Sequence, residues 1–191
     1  MMNKKQQIIE TAFTLFYRKG INSVGVADII AQANVAKKTL YNHFESKDDL
    51  VLATIEFHHH QFLSWITKRL DQAEVGKDAL LVFFESLEDW FENKVEGFAP
   101  FRGCYFHHCC VEFPDAAAAI YIASKNHKAH VSRLIAFNID SFERNKEKAQ
   151  QLKETIFLLQ EGIISTTFLE KTTQYNHSVM IAVENLLGFK R

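Results

Sequence analysis

A short segment near the amino terminus carries side chains that can bind both the bases and the backbone of DNA. Lysine can donate to guanine acceptors, asparagine can pair with adenine, and threonine can contact the thymine methyl group. Tyr41 and Lys47 suit phosphate binding, which fixes the register of a protein on the duplex. The full set of candidate DNA-binding residues is Lys37, Lys38, Thr39, Tyr41, Asn42, His43 and Lys47.

Helical spacing predicts which of these side chains face outward. At about 100° per residue, Leu40 and Phe44 lie about 40° apart and mark the buried side of a helix. Lys38 and Asn42 then fall nearly opposite, with Thr39 beside them. We therefore expect these three residues to face the bases and the remaining candidates to flank them.

Two short helices joined by a tight turn must position this segment. Apolar periodicity predicts helices over about Val26–Ala33 and about Lys37–His43. Asn34 falls at the turn position that needs a left-handed residue, and asparagine tolerates that conformation better than most residues. Val35 should then fill the angle between the two helices. The pattern is that of a helix-turn-helix.

A first helix and a basic charge balance complete this amino-terminal region. The first helix is predicted over about Lys4–Lys19, with Gly20 as its stop. Residues 1–47 hold seven Lys and Arg against three acidic residues, a charge of +4, whereas residues 48–191 hold fifteen against twenty, a charge of −5. This asymmetry is expected if only the amino-terminal region meets phosphate.

The same segment resembles the signature of the TetR (tetracycline-repressor) family. That signature runs from Asp-Ile-x-x-x-Ala through a Val-containing turn to Thr-Leu-Tyr-x-His-Phe-x-x-Lys. The matching residues here are Asp28, Ile29, Ala33, Val35, Thr39, Leu40, Tyr41, His43, Phe44 and Lys47.

Three positions depart from the family pattern. Asn34 stands where the family usually has Gly, Ala36 where it has Ser or Thr, and Lys38 where Gly is frequent. Ala36 lacks a side-chain helix cap worth about 1 kcal/mol. Lys38 adds a long cation to the reading face, so the DNA sequence bound by a relative cannot be transferred to this chain.

The resemblance implies an all-α fold of about nine helices in two domains. Residues 1–47 would form a three-helix DNA-binding domain, and residues 48–191 a helical domain for effector binding and dimerisation. The implied function is a repressor that binds a pseudo-palindromic double-stranded DNA operator as a homodimer. A small hydrophobic or aromatic effector would release it, and no cofactor is expected.

Helical periodicity continues to the end of the chain. Ser46 and Asp49 form an imperfect capping box that opens a long helix to about Leu70. Further helices are predicted near 77–95, 101–112, 115–144, 147–170 and 173–188.

Aromatic residues on the middle helices are candidates for an effector pocket, because such sites are predominantly apolar with a few polar groups. Aromatic residues at helical spacing are also ordinary core residues, and that alternative stays open. The candidate pocket residues are Phe62, Trp65, Phe84, Trp90, Tyr105, Phe106 and His107.

Cys104 is a candidate sensor of a signal other than a bound effector. Its surroundings look like the Gly-Cys…Glu-Phe stretch of one branch of the family, some of whose members sense electrophiles or oxidants through a cysteine. The alternative is a small buried core residue, the commoner fate of a free cysteine. An enzyme using Cys104, His107 and Glu112 is a further alternative, although no ordered arrangement of nucleophile, base and orienting group is visible.

Metal and membrane sites are not predicted. Consecutive histidines point to different faces of a helix, and the three cysteines form no Cys-x-x-Cys pair. No apolar run approaches the roughly eighteen residues of a membrane span. The odd number of cysteines, with two adjacent, favours a reducing cytoplasm.

The last two predicted helices carry apolar stripes that, by the resemblance, would pair across a two-fold axis. The alternative is that these stripes pack inside one subunit. The residues concerned are Leu152, Ile156, Leu159, Ile163 and Ile164 on one helix and Val179, Ile181, Val183, Leu186 and Leu187 on the other.

Overall fold

A computed structural model describes residues 3–189, and within that range the chain forms nine α-helices and no strand. The predicted all-α fold is therefore confirmed. The helices are α1 (Lys4–Lys19), α2 (Val26–Ala33), α3 (Lys37–Tyr41), α4 (Lys47–Leu70), α5 (Lys77–Phe91), α6 (Tyr105–Glu112), α7 (Ala119–Phe142), α8 (Lys146–Glu170) and α9 (Asn176–Leu187).

The bounds of α1 and α2 are those predicted, but several later helices are shorter than expected. Helix α5 ends at Phe91 and not near residue 95, because Asn93 takes a left-handed φ of 60° that stops the helix. Helix α6 begins at Tyr105 and not near residue 101, because Gly103 has a φ of 82°. Both deviations lie in the segment that separates these two helices.

One of two compact units contains residues up to Phe62 together with Tyr105–Lys128. Helices α1, α2 and α3 pack on one another within it. Its core includes a column of stacked rings. The ring centroids of Phe13 and His58 lie 4.7 Å apart, those of His58 and Phe106 5.3 Å, and those of Phe106 and His127 3.5 Å.

The second compact unit contains Leu63–Cys104 and the chain from Ala129 onward. In this unit α5 packs on α8 and α9, which also pack on each other. Gly76, at the start of α5, donates its N–H to Asn138 Oδ1 on α7 at 3.0 Å. The predicted domain boundary after residue 47 coincides with the start of α4 and stays a prediction.

Half of the residues predicted for the paired stripes are buried inside the chain, which corrects that expectation for these five residues; pairing through the other five stays a prediction. Their partners are α5, α8 and α9 themselves. The alternative of packing within one subunit therefore holds for Ile156, Ile163, Ile164, Val183 and Leu187.

Candidate nucleic-acid interface

A small apolar centre fixes the orientation of α3. Leu40 on α3 and Phe44 just after it are both buried. Phe13 and Phe16 of α1 and Ile29 of α2 are buried as well, on helices that pack against α3. Because the apolar side of α3 faces this centre, its opposite side is left to solvent.

The turn between α2 and α3 has the geometry predicted for it. Asn34 adopts the left-handed conformation with φ 49° and ψ 53°, and its N–H donates to the carbonyl groups at the end of α2. Val35, half-buried, donates its N–H to Ile30 O at 3.2 Å. From α1, Gln7 Nε2 donates to Ala33 O at 2.8 Å. The turn is thus fixed both by its own backbone and by α1.

The predicted reading residues lie where helical spacing placed them. Helix α3 ends at Tyr41, but Asn42 keeps right-handed helical angles and donates its N–H to Lys38 O at 2.9 Å. Lys38 and Asn42 are exposed one turn apart on the side opposite Leu40, and Thr39 is half-buried. An exposed lysine and an exposed amide one turn apart can each reach a base edge in the major groove.

The flanking candidates are accessible too. Tyr41 is 46% exposed, and Lys37 and His43 are exposed. Lys37 Nζ lies 5.9 Å from the centroid of the Tyr41 ring, within the range of a cation–π contact. The ammonium group of Lys37 and the ring of Tyr41 thus lie next to each other on one flank of the exposed side of α3.

Lys47 differs from the other candidates because it contacts the protein itself. Its ammonium donates to Ile21 O at 2.6 Å and lies 5.8 Å from the centroid of the Phe16 ring. The side chain is half-buried. Lys47 therefore holds the loop that joins α1 to α2, and phosphate binding by its other N–H groups stays a prediction.

Glu112, the last residue of α6, holds the same loop from the other side. Its carboxylate accepts the N–H of Ile21 at 2.8 Å and the N–H of Asn22 at 2.6 Å. This contribution to the interface was missed from the sequence, because 91 residues separate Ile21 from Glu112 and no local signal connects them. These two contacts give the Glu112 carboxylate a structural role, and the enzyme alternative stays untested.

Of the candidate pocket residues, Phe62, Tyr105 and Phe106 are buried in the first unit and His107 is exposed. Tyr105 hydrogen-bonds Thr54 Oγ1 at 2.8 Å, and burial raises the pKa of this tyrosine well above its usual value. A neutral, hydrogen-bonded phenol inside packed rings is typical of a core residue. An effector role for these residues stays a prediction.

The other three candidate pocket residues belong to the second unit. Trp65 is half-buried with its ring centroid 5.2 Å from that of Phe98. Phe84 and Trp90 are buried on α5. Phe84 lines a cavity of about 10 Å³ against α9, room for no more than one water molecule. The seven candidates are thus divided between two separate units.

Cys104 directly precedes α6, and its side chain is buried, as is that of Cys109. Its role as a sensor stays a prediction. Within residues 3–189, no three His, Cys, Asp or Glu side chains are grouped so that they could hold a metal ion. None of the helices in the same range is long and apolar enough to cross a membrane.

Comparison with known proteins agrees with the geometry of the amino-terminal helices. The family model described as "Bacterial regulatory proteins, tetR family" matches residues 8–54. The HTH-type transcriptional activator FasR of Mycolicibacterium smegmatis is 26% identical over 122 residues, which cover 64% of this chain and 54% of FasR. The chain thus spans about half the length of that relative.

Two further proteins match over more of the chain. The HTH-type transcriptional repressor KstR2 of Mycolicibacterium smegmatis is 26% identical over 166 residues, covering 87% of this chain and 68% of KstR2. The crystal structure of a TetR-family transcriptional regulator from Streptomyces coelicolor superposes with a TM-score of 0.87 at 24% identity. That superposition covers 96% of this chain and 94% of the other, and it shows the fold.

The fold and the exposed side of α3 define a helix-turn-helix protein with a helical carboxy-terminal region. The residues that match the family model include the turn, α3 and the start of α4. Residues 8–54 thus match the amino-terminal domain of the TetR family, and residues 3–189 have the fold of a solved TetR-family protein.

Proposed function

We propose that this chain is a transcriptional repressor that binds a pseudo-palindromic DNA operator. The observation that carries the proposal is the pair Lys38 and Asn42, exposed one helical turn apart on the side of α3 opposite its buried residues. Lys38 would donate to guanine and Asn42 would pair with adenine, while Thr39 would contact a thymine methyl group.

Phosphate contacts would set the register of α3 in the major groove. Tyr41, Lys37 and His43 flank the reading face and are exposed. They would bind the backbone beside the bases, and Lys47 would do so at the start of α4. The charge of +4 in residues 1–47 supports such contacts, which supply much of the affinity of a DNA-binding protein without selecting its sequence.

A homodimer would provide selectivity that one chain lacks. Helix α3 has only five residues, so it can read only a few base pairs. Two copies related by a two-fold axis would read half-sites about one helical turn, roughly 34–36 Å, apart. KstR2, which matches over 87% of this chain, is named as a repressor, whereas FasR, which matches over 64%, is named as an activator; the longer match is what supports repression.

Release by a small effector would complete the function of this cytoplasmic regulator. An effector that binds better to the dimer whose reading helices no longer fit successive major grooves would lower operator affinity. By linkage, the operator would lower effector affinity by the same factor.

The first test is selection of genomic fragments by the purified protein, followed by fluorescence anisotropy on the fragment found. Lys38→Ala and Asn42→Ala should each weaken binding to that fragment by about 1–3 kcal/mol and relax its sequence preference. Tyr41→Phe should weaken binding to all sequences alike.

The matched control is Lys148→Ala, which removes an exposed lysine from α8 and should leave affinity unchanged. If Lys38→Ala and Asn42→Ala both keep the affinity and the selectivity of the parent protein, α3 is not the reading helix and the proposal fails.

A further inference from the structure

A cavity of about 530 Å³ in the second unit lies between the end of α8 and the segment that follows α5. Its volume is within the range of about 300–1,000 Å³ typical of small-molecule sites. None of the residues predicted for the effector pocket lines it. The lining residues that matter here are Phe91, Phe101, Arg102, Thr167, Phe168 and Lys171.

Thr167, one of the residues that line this cavity, has a buried hydroxyl. The residue is only 4% exposed, and within residues 3–189 its Oγ1 has no hydrogen-bond partner. By contrast, Thr155 on the same helix donates its hydroxyl to Gln151 O at 2.8 Å. An unsatisfied buried hydroxyl costs about 1–3 kcal/mol. A ligand atom that accepted its proton would recover that free energy.

Lys171 closes α8 in a conformation that a lysine rarely adopts. Its backbone has φ 52° and ψ 40°, the left-handed region, and its side chain is exposed. A non-glycine residue there costs about 1–2 kcal/mol. Such backbone strain is concentrated at binding and switch sites, where the surrounding structure maintains it.

The charges that line the cavity are positive. Arg102 and Lys171 both contribute to its wall, and no carboxylate of the residues that the structure describes does. The end of α8 adds about half a negative charge through its free carbonyl groups. Two full positive charges outweigh this partial charge, so the cavity favours an anion.

Aromatic rings form the apolar part of the wall. The ring centroid of Phe101 lies 4.8 Å from that of Phe91 and 4.9 Å from that of Trp90. These contacts fix the Phe101 ring in place, and Phe168 adds a further ring to the lining. Rings held in this way favour a flat aromatic partner by stacking or edge contacts.

We infer that this cavity binds an aromatic carboxylate. The aromatic body would lie against Phe91, Phe101 and Phe168. The carboxylate would face Arg102 and Lys171 and accept the hydrogen bond from Thr167 Oγ1. Binding as such does not depend on the proposed function, whereas its use to release DNA rests on that function.

Isothermal titration calorimetry of the full-length protein with 2-naphthoate tests the inference. The neutral isostere 2-naphthamide is the matched ligand control, because it keeps the rings and removes the charge. We expect 2-naphthoate to bind at least about tenfold more tightly than 2-naphthamide, as charge-assisted hydrogen bonds contribute about 1.5–3 kcal/mol. Equal affinities, or no binding of 2-naphthoate up to millimolar concentration, would overturn the inference.

Substitution of Thr167 distinguishes a ligand-binding role from a structural one. Thr167→Val removes the unsatisfied hydroxyl, so the unliganded protein should melt at the same or a higher temperature while the Kd for 2-naphthoate rises about tenfold. Thr155→Val, on the same helix but outside the cavity, should leave the Kd unchanged. An unchanged Kd for Thr167→Val would refute the assigned hydrogen bond and with it the site.

Lys171→Gly gives an independent check, because glycine relieves the left-handed strain and removes the charge. We expect a higher melting temperature and a several-fold higher Kd, against an unchanged Kd for Lys146→Gln at the other end of α8. An unchanged Kd for Lys171→Gly would contradict the site. Loss of DNA binding by Lys38→Ala has no bearing on this result, so the two proposals fail separately.

Discussion

His58 shows what burial does to a single ionisable side chain in this protein. It lies between the rings of Phe13 and Phe106 and is only 3% exposed. Burial, with a smaller contribution from the charge of His59, lowers the pKa of His58 to about 4. The hydrogen bond to Gln61 acts in the opposite direction. His58 is therefore a neutral, stacked ring at physiological pH.

A pH dependence of stability follows from this lowered pKa. As the pH falls below 6.5, the unfolded chain binds a proton that the folded chain excludes until about pH 4. The stabilisation is thus complete above pH 6.5 and is lost between 6.5 and 4, by about 3 kcal/mol in total. Urea unfolding at pH 7, 6 and 5 should show this loss, and His58→Phe should reduce it.

His60 is the matched control for this prediction. It is exposed, so His60→Gln should keep the pH dependence of the parent protein. Burial also lowers the pKa of His108, so the His58→Phe variant should keep a smaller pH dependence of its stability. The explanation is wrong if His58→Phe and the parent protein lose the same stability between pH 7 and pH 5.

At the level of individual residues, the sequence predicted the conformations that local backbone geometry determines. Asn34 was expected in the left-handed region because the turn requires it there, and the structure confirms this. For the run His58–His60, the sequence could not predict which histidine is buried. Neighbouring residues on a helix point in different directions, and only the packing of α1 and α6 decides that His58 is the buried one.

At the scale of elements, the loop between α1 and α2 depends on two distant helices. Ile21 donates its N–H to Glu112 of α6, while its carbonyl accepts from Lys47 of α4. Both backbone groups of one loop residue are thus bound by charged side chains, which form stronger hydrogen bonds than neutral ones. The loop orients α2, and α2 packs against α3.

Removing the carboxylate of Glu112 should therefore affect DNA binding indirectly. We expect Glu112→Ala to destabilise the fold by about 1–3 kcal/mol, because two amides lose a charged partner. Operator affinity should fall without a change in sequence preference. The slope of log affinity against log salt should stay the same, because Glu112 is assigned no phosphate contact. Anisotropy titrations at several salt concentrations measure both quantities.

Two comparisons make this prediction specific. Glu96→Ala removes an exposed carboxylate and should change neither stability nor affinity. Lys47→Ala, which removes a proposed phosphate contact, should weaken binding and lower the salt slope by about one. A changed sequence preference in Glu112→Ala would contradict an indirect role.

Helix existence was predictable for most of the chain, whereas several helix ends were not. Hydrophobic periodicity identifies α1 and α2 because each buries one clear stripe. Between α5 and α6 the backbone is held instead by a tertiary contact, since Asn93 Oδ1 accepts the N–H of Phe101 at 2.6 Å. That contact joins residues from opposite ends of a loop, so the local pattern did not reveal it.

At the scale of the whole molecule, α8 presents an apolar stripe that the described part of the chain, residues 3–189, leaves uncovered. Leu158 is 68% exposed and Leu169 is 74% exposed. With Gly162 and Ser165 between them, they recur at spacings of four, three and four residues along one side of the helix. The sequence favoured the opposite stripe for dimerisation. Periodicity cannot tell which of two apolar faces packs inside, and α5 and α9 cover the predicted one.

Gly162 allows a sharp test of dimerisation through this stripe. A Cβ added there would meet no atom within 4 Å, and glycine is about 1 kcal/mol worse than alanine inside a helix. Gly162→Glu should therefore leave the protomer folded and no less stable. It should also place a charge where a second α8 would pack.

We expect sedimentation equilibrium at micromolar concentration to show a dimer for the parent protein and a monomer for Gly162→Glu, with a large loss of operator affinity. Gln150→Glu, exposed on α8 outside the stripe, should stay dimeric. A Gly162→Glu protein that dimerises as the parent does would place the interface elsewhere.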